Sequence, residues 1–171
     1  MTLATRLTLL RIVLVPLLVI CVSHPNYFSV LFNLTFFIAL AFTDYLDGWI
    51  ARKTNTVSPL GMLLDPLADK ILVFTLLLFF MNQGKIAFLA VALLLGREFA
   101  VLGLRSAAAL KQSVMKADWG GKIKTISQFL CIGWLIAELP FVDVLVWLTV
   151  ALSLLSGLNY FWAYREVLRH G

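Results

Sequence analysis

The chain has 171 residues, of which 61% are hydrophobic and only 13% charged, and its mean hydropathy is +0.95. Soluble domains run nearer half apolar and a quarter charged, so this chain has too few charges to cover a water-exposed surface; that excludes a soluble globular protein and intrinsic disorder and indicates a polytopic helical membrane protein. The net charge of +5, from 14 Lys and Arg against 9 Asp and Glu, is what positively charged inner loops produce and is no pointer to nucleic acid.

About 20 apolar residues span a bilayer as a helix. Six such runs are predicted, at about 7–22, 27–49, 60–81, 85–110, 122–139 and 141–168. The breaks between them are short and carry turn chemistry: Ser23-His24-Pro25-Asn26, Asn82-Gln83-Gly84, Gly120-Gly121 and Pro140. With no repeat, linker or low-complexity tract, the expected architecture is all-α, six transmembrane helices in one bundle forming a single domain over 1–171. No cleavable signal peptide is evident, since the first apolar run is long and no soluble part follows it. Cys21 and Cys131 sit in apolar runs without a spacing partner and read as small buried hydrophobes.

Basic residues set the orientation. Arg6 and Arg11, Arg52 and Lys53, Lys111, Lys116, Lys122 and Lys124, and Arg165 and Arg169 fall at alternate span ends, whereas the opposite side has Lys85 with Glu138, Asp143 and His24. This places both termini and the 2–3 and 4–5 loops in the cytoplasm or its equivalent. The five tryptophans, Trp49, Trp119, Trp134, Trp147 and Trp162, read as interface belt or packing residues.

Charge near the bilayer centre is expensive, so acids inside spans are functional candidates. Asp44 and Asp47, three apart at the inner end of span two, share one helix face; Asp65 and Asp69, four apart at the start of span three, share another. The short 53–59 connection makes the two spans antiparallel neighbours, so the four carboxylates converge. Protons, basic residues or hard cations must neutralise them. An all-oxygen donor set suits Mg²⁺ or Mn²⁺, and two divalent ions would match the charge and serve phosphoryl chemistry. A carboxylate-lined cation transporter is the competing reading; against it, no acid lies mid-span in spans one, five or six. Gly48, Ala51 and Gly61 lie on the acid-bearing faces, where small residues admit a bulky ligand or allow close helix packing. Pro66 should kink span three.

The stretch Asp44-x2-Asp47-Gly48-x2-Ala51-Arg52-x8-Gly61-x3-Asp65-x3-Asp69 resembles the signature of the CDP-alcohol phosphotransferase family, with all eight fixed positions at the right spacing. Thr8-Leu-Leu-Arg11 with Pro16, Arg97-Glu98 with Leu104-Arg105, and Gly121-Lys122-Ile-Lys124-Thr125 with Gln128 are similar to the branch of that family forming phosphatidylglycerophosphate; Thr5 departs from it, since that branch usually has Asn there. The resemblance implies a six-helix membrane bundle, a homodimer, and transfer of a phosphatidyl group from CDP-diacylglycerol to sn-glycerol 3-phosphate with release of CMP. Other acceptors within the family (inositol phosphate, phosphatidylglycerol, serine) are the alternatives. It also implies that Asp44, Asp47, Asp65 and Asp69 serve two divalent cations, with Asp69 the general base for the acceptor hydroxyl. Gly48, Ala51, Gly61, Arg52 and Thr8 would lie against CDP-diacylglycerol. The acceptor already carries a phosphate and needs a basic pocket, for which Arg105, Lys122, Lys124 and Thr125 are the candidates, with Arg97 deeper and able instead to pair with Glu98. The expected location is a bacterial cytoplasmic membrane, with the active site on the cytoplasmic side.

Overall fold

The structure, a computed structural model, describes the backbone of residues 3–53, 59–110 and 119–165 and the side chains of 8–43, 67–108 and 119–165. Among the described residues it is all-helical: α1 (Leu3–Ser23), α2 (Val30–Lys53), α3 (Pro59–Asn82), α4 (Phe88–Leu110), α5 (Trp119–Ile136) and α6 (Val142–Ala163). The six predicted runs correspond one to one with these helices. One of them, α6, is both long and apolar enough along its described length to cross a membrane; its 22 residues span about 33 Å. α4 and α5 interrupt their apolar runs with Arg97, Glu98 and Arg105, and with Lys122 and Lys124.

Local chemistry sets the helix ends. Ser29 caps α2, its Oγ accepting from the Phe32 amide at 3.2 Å. A turn in which the Tyr27 and Phe28 amides donate to the His24 carbonyl precedes that cap, so the helix starts later than its apolar run. α3 ends in a Schellman motif. Gly84 adopts φ +73°, its amide donates to Met81 at 2.9 Å, and the Lys85 amide donates to Phe80 at 2.9 Å. Before α6 the chain turns through two left-handed residues, Glu138 (φ 53°) and Phe141 (φ 61°), on either side of Pro140.

The helices divide into two compact units, Met1–Phe79 with Ile132–Glu138, and Phe80–Cys131 with Leu139–Gly171. In the first, α1 packs on α2. Thr8, Arg11, Val15 and Leu18, at spacings of three and four, form the buried face of α1, while Leu10, Val13 and Leu17 point outward. Asn33, Phe37 and Leu40 form the buried face of α2. In the second unit, α4 packs on α6, and Val101, Leu104 and Tyr160 form a core flanked by Phe161 and Tyr164.

Along α6 the usual sorting of residues is inverted at several positions, while Val146, Val150 and Tyr160 are buried as well. Thr149, Ser153, Ser156 and Gly157 are buried, whereas Leu148, Leu155, Leu158 and Trp162 are exposed. Small and hydroxyl residues let helices approach closely when the surroundings are as apolar as leucine itself.

Candidate functional site

The signature residues occupy the last turns of α2 (Asp44 to Arg52) and the first turns of α3 (Gly61 to Asp69). The side chains of Asp44, Asp47, Gly48, Ala51, Arg52, Gly61, Asp65 and Pro66 lie outside the described residues, as do Lys111 and Lys116. Asp69 is half-buried on α3, beside half-buried Lys70 and buried Ala68. In the same unit, Thr8 is fully buried and Arg11 is 2% exposed. They lie three apart on one face of α1, so Arg11 is a core residue rather than only a surface charge marking topology.

The second unit assembles a polar cluster inside an apolar helix packing. Arg97 and Glu98 interrupt α4 and are both buried. The Arg97 guanidinium is held at three points. Nη1 donates to Glu98 Oε1 at 2.8 Å, Nε to the Ser153 carbonyl at 3.1 Å, and Nη2 to Ser156 Oγ at 2.9 Å. Lys124, buried on α5, donates to the same Glu98 Oε1. Two cations thus converge on one carboxylate oxygen, and within this trio positive charge exceeds negative by one. Burial of such groups is tolerated because each charge finds an opposite charge and hydrogen-bond partners.

Two turns beyond Arg97, Arg105 is exposed and lies on Tyr160. Its Nη2 donates to the phenol oxygen at 3.1 Å, and the guanidinium stands 5.3 Å from the ring centroid. Lys122 is exposed and stacks on Trp119, 4.8 Å from the ring centroid. Thr125 Oγ1 donates to the Gly121 carbonyl at 3.0 Å, the back-bonding that hydroxyl residues make inside helices.

The pairings also give helix directions within this unit. Arg97 meets Ser153 and Ser156, and Arg105 meets Tyr160 further along, so α4 and α6 run parallel. Thr149 Oγ1 lies 3.4 Å from the Ser127 carbonyl, and an added Cβ at Gly121 would stand 3.4 Å from Tyr160 Oη, so α5 runs antiparallel to α6.

Of the predicted acceptor-pocket residues, Arg97 and Lys124 are brought together, with Glu98 as the hub. Arg105 and Lys122 rest on aromatic partners of their own. The Arg97–Glu98 pairing follows the sequence expectation; the supporting residues Ser156 and Tyr160 are not among the expected ones. The available signal was a polar stripe at 149, 153, 156 and 160 within an otherwise apolar run, at helical spacing.

Residues 1–155 match the family model for CDP-alcohol phosphatidyltransferase. A Bacillus subtilis protein named CDP-diacylglycerol–glycerol-3-phosphate 3-phosphatidyltransferase is 33% identical over 98% of this chain and 97% of its own length. A Rickettsia felis protein of the same name is 28% identical over 94% and 93%, and one from Salmonella choleraesuis is 33% identical over 77% and 75%. With the signature intact between Asp44 and Asp69, the chain belongs to the CDP-alcohol phosphatidyltransferase family.

Proposed function

We propose that this protein transfers the phosphatidyl group of CDP-diacylglycerol to the free primary hydroxyl of sn-glycerol 3-phosphate, giving phosphatidylglycerophosphate and CMP. The observation that carries the reading is similarity over nearly the whole chain to proteins named for that reaction. The buried Arg97–Glu98–Lys124 cluster supports a phosphorylated acceptor over a neutral one, because a phosphate dianion needs cationic, hydrogen-bonding partners.

Carboxylates at Asp44, Asp47 and Asp65, with Asp69 contributing only at the edge of the set, form an all-oxygen donor set of the kind that suits Mg²⁺ or Mn²⁺. They would hold two divalent ions, which when bound neutralise the pyrophosphate of the donor. Asp69 takes the proton of the acceptor hydroxyl. That oxygen bonds to the phosphorus carrying the diacylglycerol, the bond from this phosphorus to the CMP oxygen breaks, and CMP leaves. Gly48, Ala51 and Gly61 leave room for the nucleotide, Arg52 pairs with a phosphate, and Thr8 contributes on the donor side. Arg105, Lys122, Lys124, Thr125 and Arg97 receive the acceptor.

We read residues 1–171 as a single membrane domain with six spans, acting as a homodimer in a bacterial cytoplasmic membrane, its termini and active site on the cytoplasmic side. The inverted sorting along α6 supports the membrane, and the parallel run of α4 and α6 is what six alternating spans require of two even-numbered helices. Cations stacked on exposed tryptophans, Lys122 on Trp119 and Arg165 on Trp162, fit an interfacial level at the start of α5 and the end of α6.

An acceptor panel tests the reading. Purified protein with CDP-diacylglycerol is given glycerol 3-phosphate, inositol phosphate, phosphatidylglycerol or serine in turn, with the lipid products separated. Glycerol 3-phosphate is expected to be used at least tenfold more efficiently than the others. A stronger reaction with any of the other three contradicts the assignment.

A further inference from the structure

The α6 residues beneath the two α4 arginines touch no substrate in the reading above, yet they govern where both guanidinium groups stand. Gly157 is buried, and a Cβ built there would lie 3.0 Å from Arg97 Cγ and 3.3 Å from Nε. The Arg97 stem therefore occupies a notch that a larger residue would fill. One residue before the notch, Ser156 Oγ accepts from Arg97 Nη2; one turn before it, the Ser153 carbonyl accepts from Nε. Three residues after the notch, Tyr160, 3% exposed, holds Arg105 by a hydrogen bond and by its ring face. The phenol also lies beside α5, where a Cβ added at Gly121 would stand 3.4 Å from Tyr160 Oη.

Residues 153, 156, 157 and 160 fall on one face of α6, and together they set the height and separation of two cations about 12 Å apart along α4. An arginine fork placed in advance loses less rotamer freedom when it takes a phosphate than a free one does. We infer that this face of α6 is a positioning template for acceptor recognition, with Ser156, Gly157 and Tyr160 acting through Arg97 and Arg105. The inference rests on the proposed glycerol 3-phosphate reaction and adds to it the residues that tune acceptor affinity without contacting the acceptor.

The test is steady-state kinetics on the full-length protein in detergent or vesicles, with KM and kcat for both substrates and a thermal midpoint for each variant. Tyr160→Phe, which keeps the ring and loses the hydroxyl, and Ser156→Ala are each expected to raise the glycerol 3-phosphate KM by about two- to tenfold, less than the full worth of the hydrogen bond lost to a charged guanidinium because the arginine itself remains. The CDP-diacylglycerol KM should stay within about twofold in both, as expected of a contact serving one substrate only. Ser156→Thr, which restores a hydroxyl, should return the acceptor KM toward the parental value. Gly157→Ala should raise it by displacing the Arg97 stem, and Leu155→Ala, on the outward face, should change neither constant.

Because Tyr160 acts through Arg105, adding Tyr160→Phe to Arg105→Ala should change nothing further. The template is overturned if the single variants keep the parental acceptor KM. It is equally overturned if both KM values rise together with a lowered midpoint, or if Tyr160→Phe keeps its full effect without Arg105. A parental protein that transfers to no phosphorylated acceptor overturns the functional reading itself and the template with it, whereas parental transfer with unresponsive variants overturns the template alone.

Discussion

A cation inside an apolar helix persists only where its partners are provided, and Arg97 shows how many that takes: a carboxylate, a hydroxyl and a main-chain carbonyl from two helices. Asp69 stands in a different situation, half-buried near the start of α3 with an acidic signature around it in sequence. As the general base it should act in the chemical step. Asp69→Asn is expected to lower kcat by about a hundredfold or more while leaving the CDP-diacylglycerol KM near its parental value. Single-turnover and steady-state rates check this, and parental kcat in the variant removes the assignment. At this scale the sequence was informative about residue type and spacing. The adjacency of Arg97 and Glu98 in an apolar run already indicated a buried pair. That Lys124 shares the same carboxylate oxygen was not legible, because the partner lies 26 residues away and depends on how α5 docks against α4.

The start of α2 and the end of α3 follow capping chemistry more than the limits of the apolar runs. The second run was expected from residue 27, but α2 starts at Val30 because Ser29 supplies the cap and the preceding turn uses the 27 and 28 amides. The fourth helix starts three residues after its expected position, at Phe88, and the described part of the fifth starts at Trp119. Apolar periodicity reports which side chains prefer lipid or core, and says little about which backbone amide lacks a partner. Gly84 was legible as a break, since the left-handed conformation it adopts favours glycine. An added Cβ at Gly84 meets nothing within 4 Å, so Gly84→Ala isolates the conformational effect. It should destabilise the protein by about 1 kcal/mol, read as a lowered thermal midpoint with acceptor and donor KM unchanged. A midpoint equal to the parental one would mean that the motif does not hold α3 closed.

Across the whole molecule, exposed leucines, valines and aromatics occur on all six helices, an extent of apolar surface that water does not tolerate on a monomer. Composition alone foretold this, and the six predicted runs match six helices. What composition left open was the packing partner of each helix, since two apolar helices offer many equivalent contacts and the polar stripe of α6 decides among them. The alternation of basic ends gives a direct prediction of topology. Cys21 and Cys131 are buried, so a new surface cysteine is read against a quiet background. Asn26→Cys and Gln83→Cys should react with a membrane-impermeant thiol reagent from outside intact cells, and Lys116→Cys only after permeabilisation; the reverse pattern would invert the assigned orientation. The transfer makes one bond to phosphorus and breaks another, and balancing the products tests it most directly. Purified protein with CDP-diacylglycerol, isotope-labelled glycerol 3-phosphate and Mg²⁺ should release one CMP for each labelled phosphatidylglycerophosphate formed, with no CMP in the absence of acceptor or in excess chelator. CMP release without acceptor, or a lipid product lacking the labelled glycerol phosphate, would contradict it.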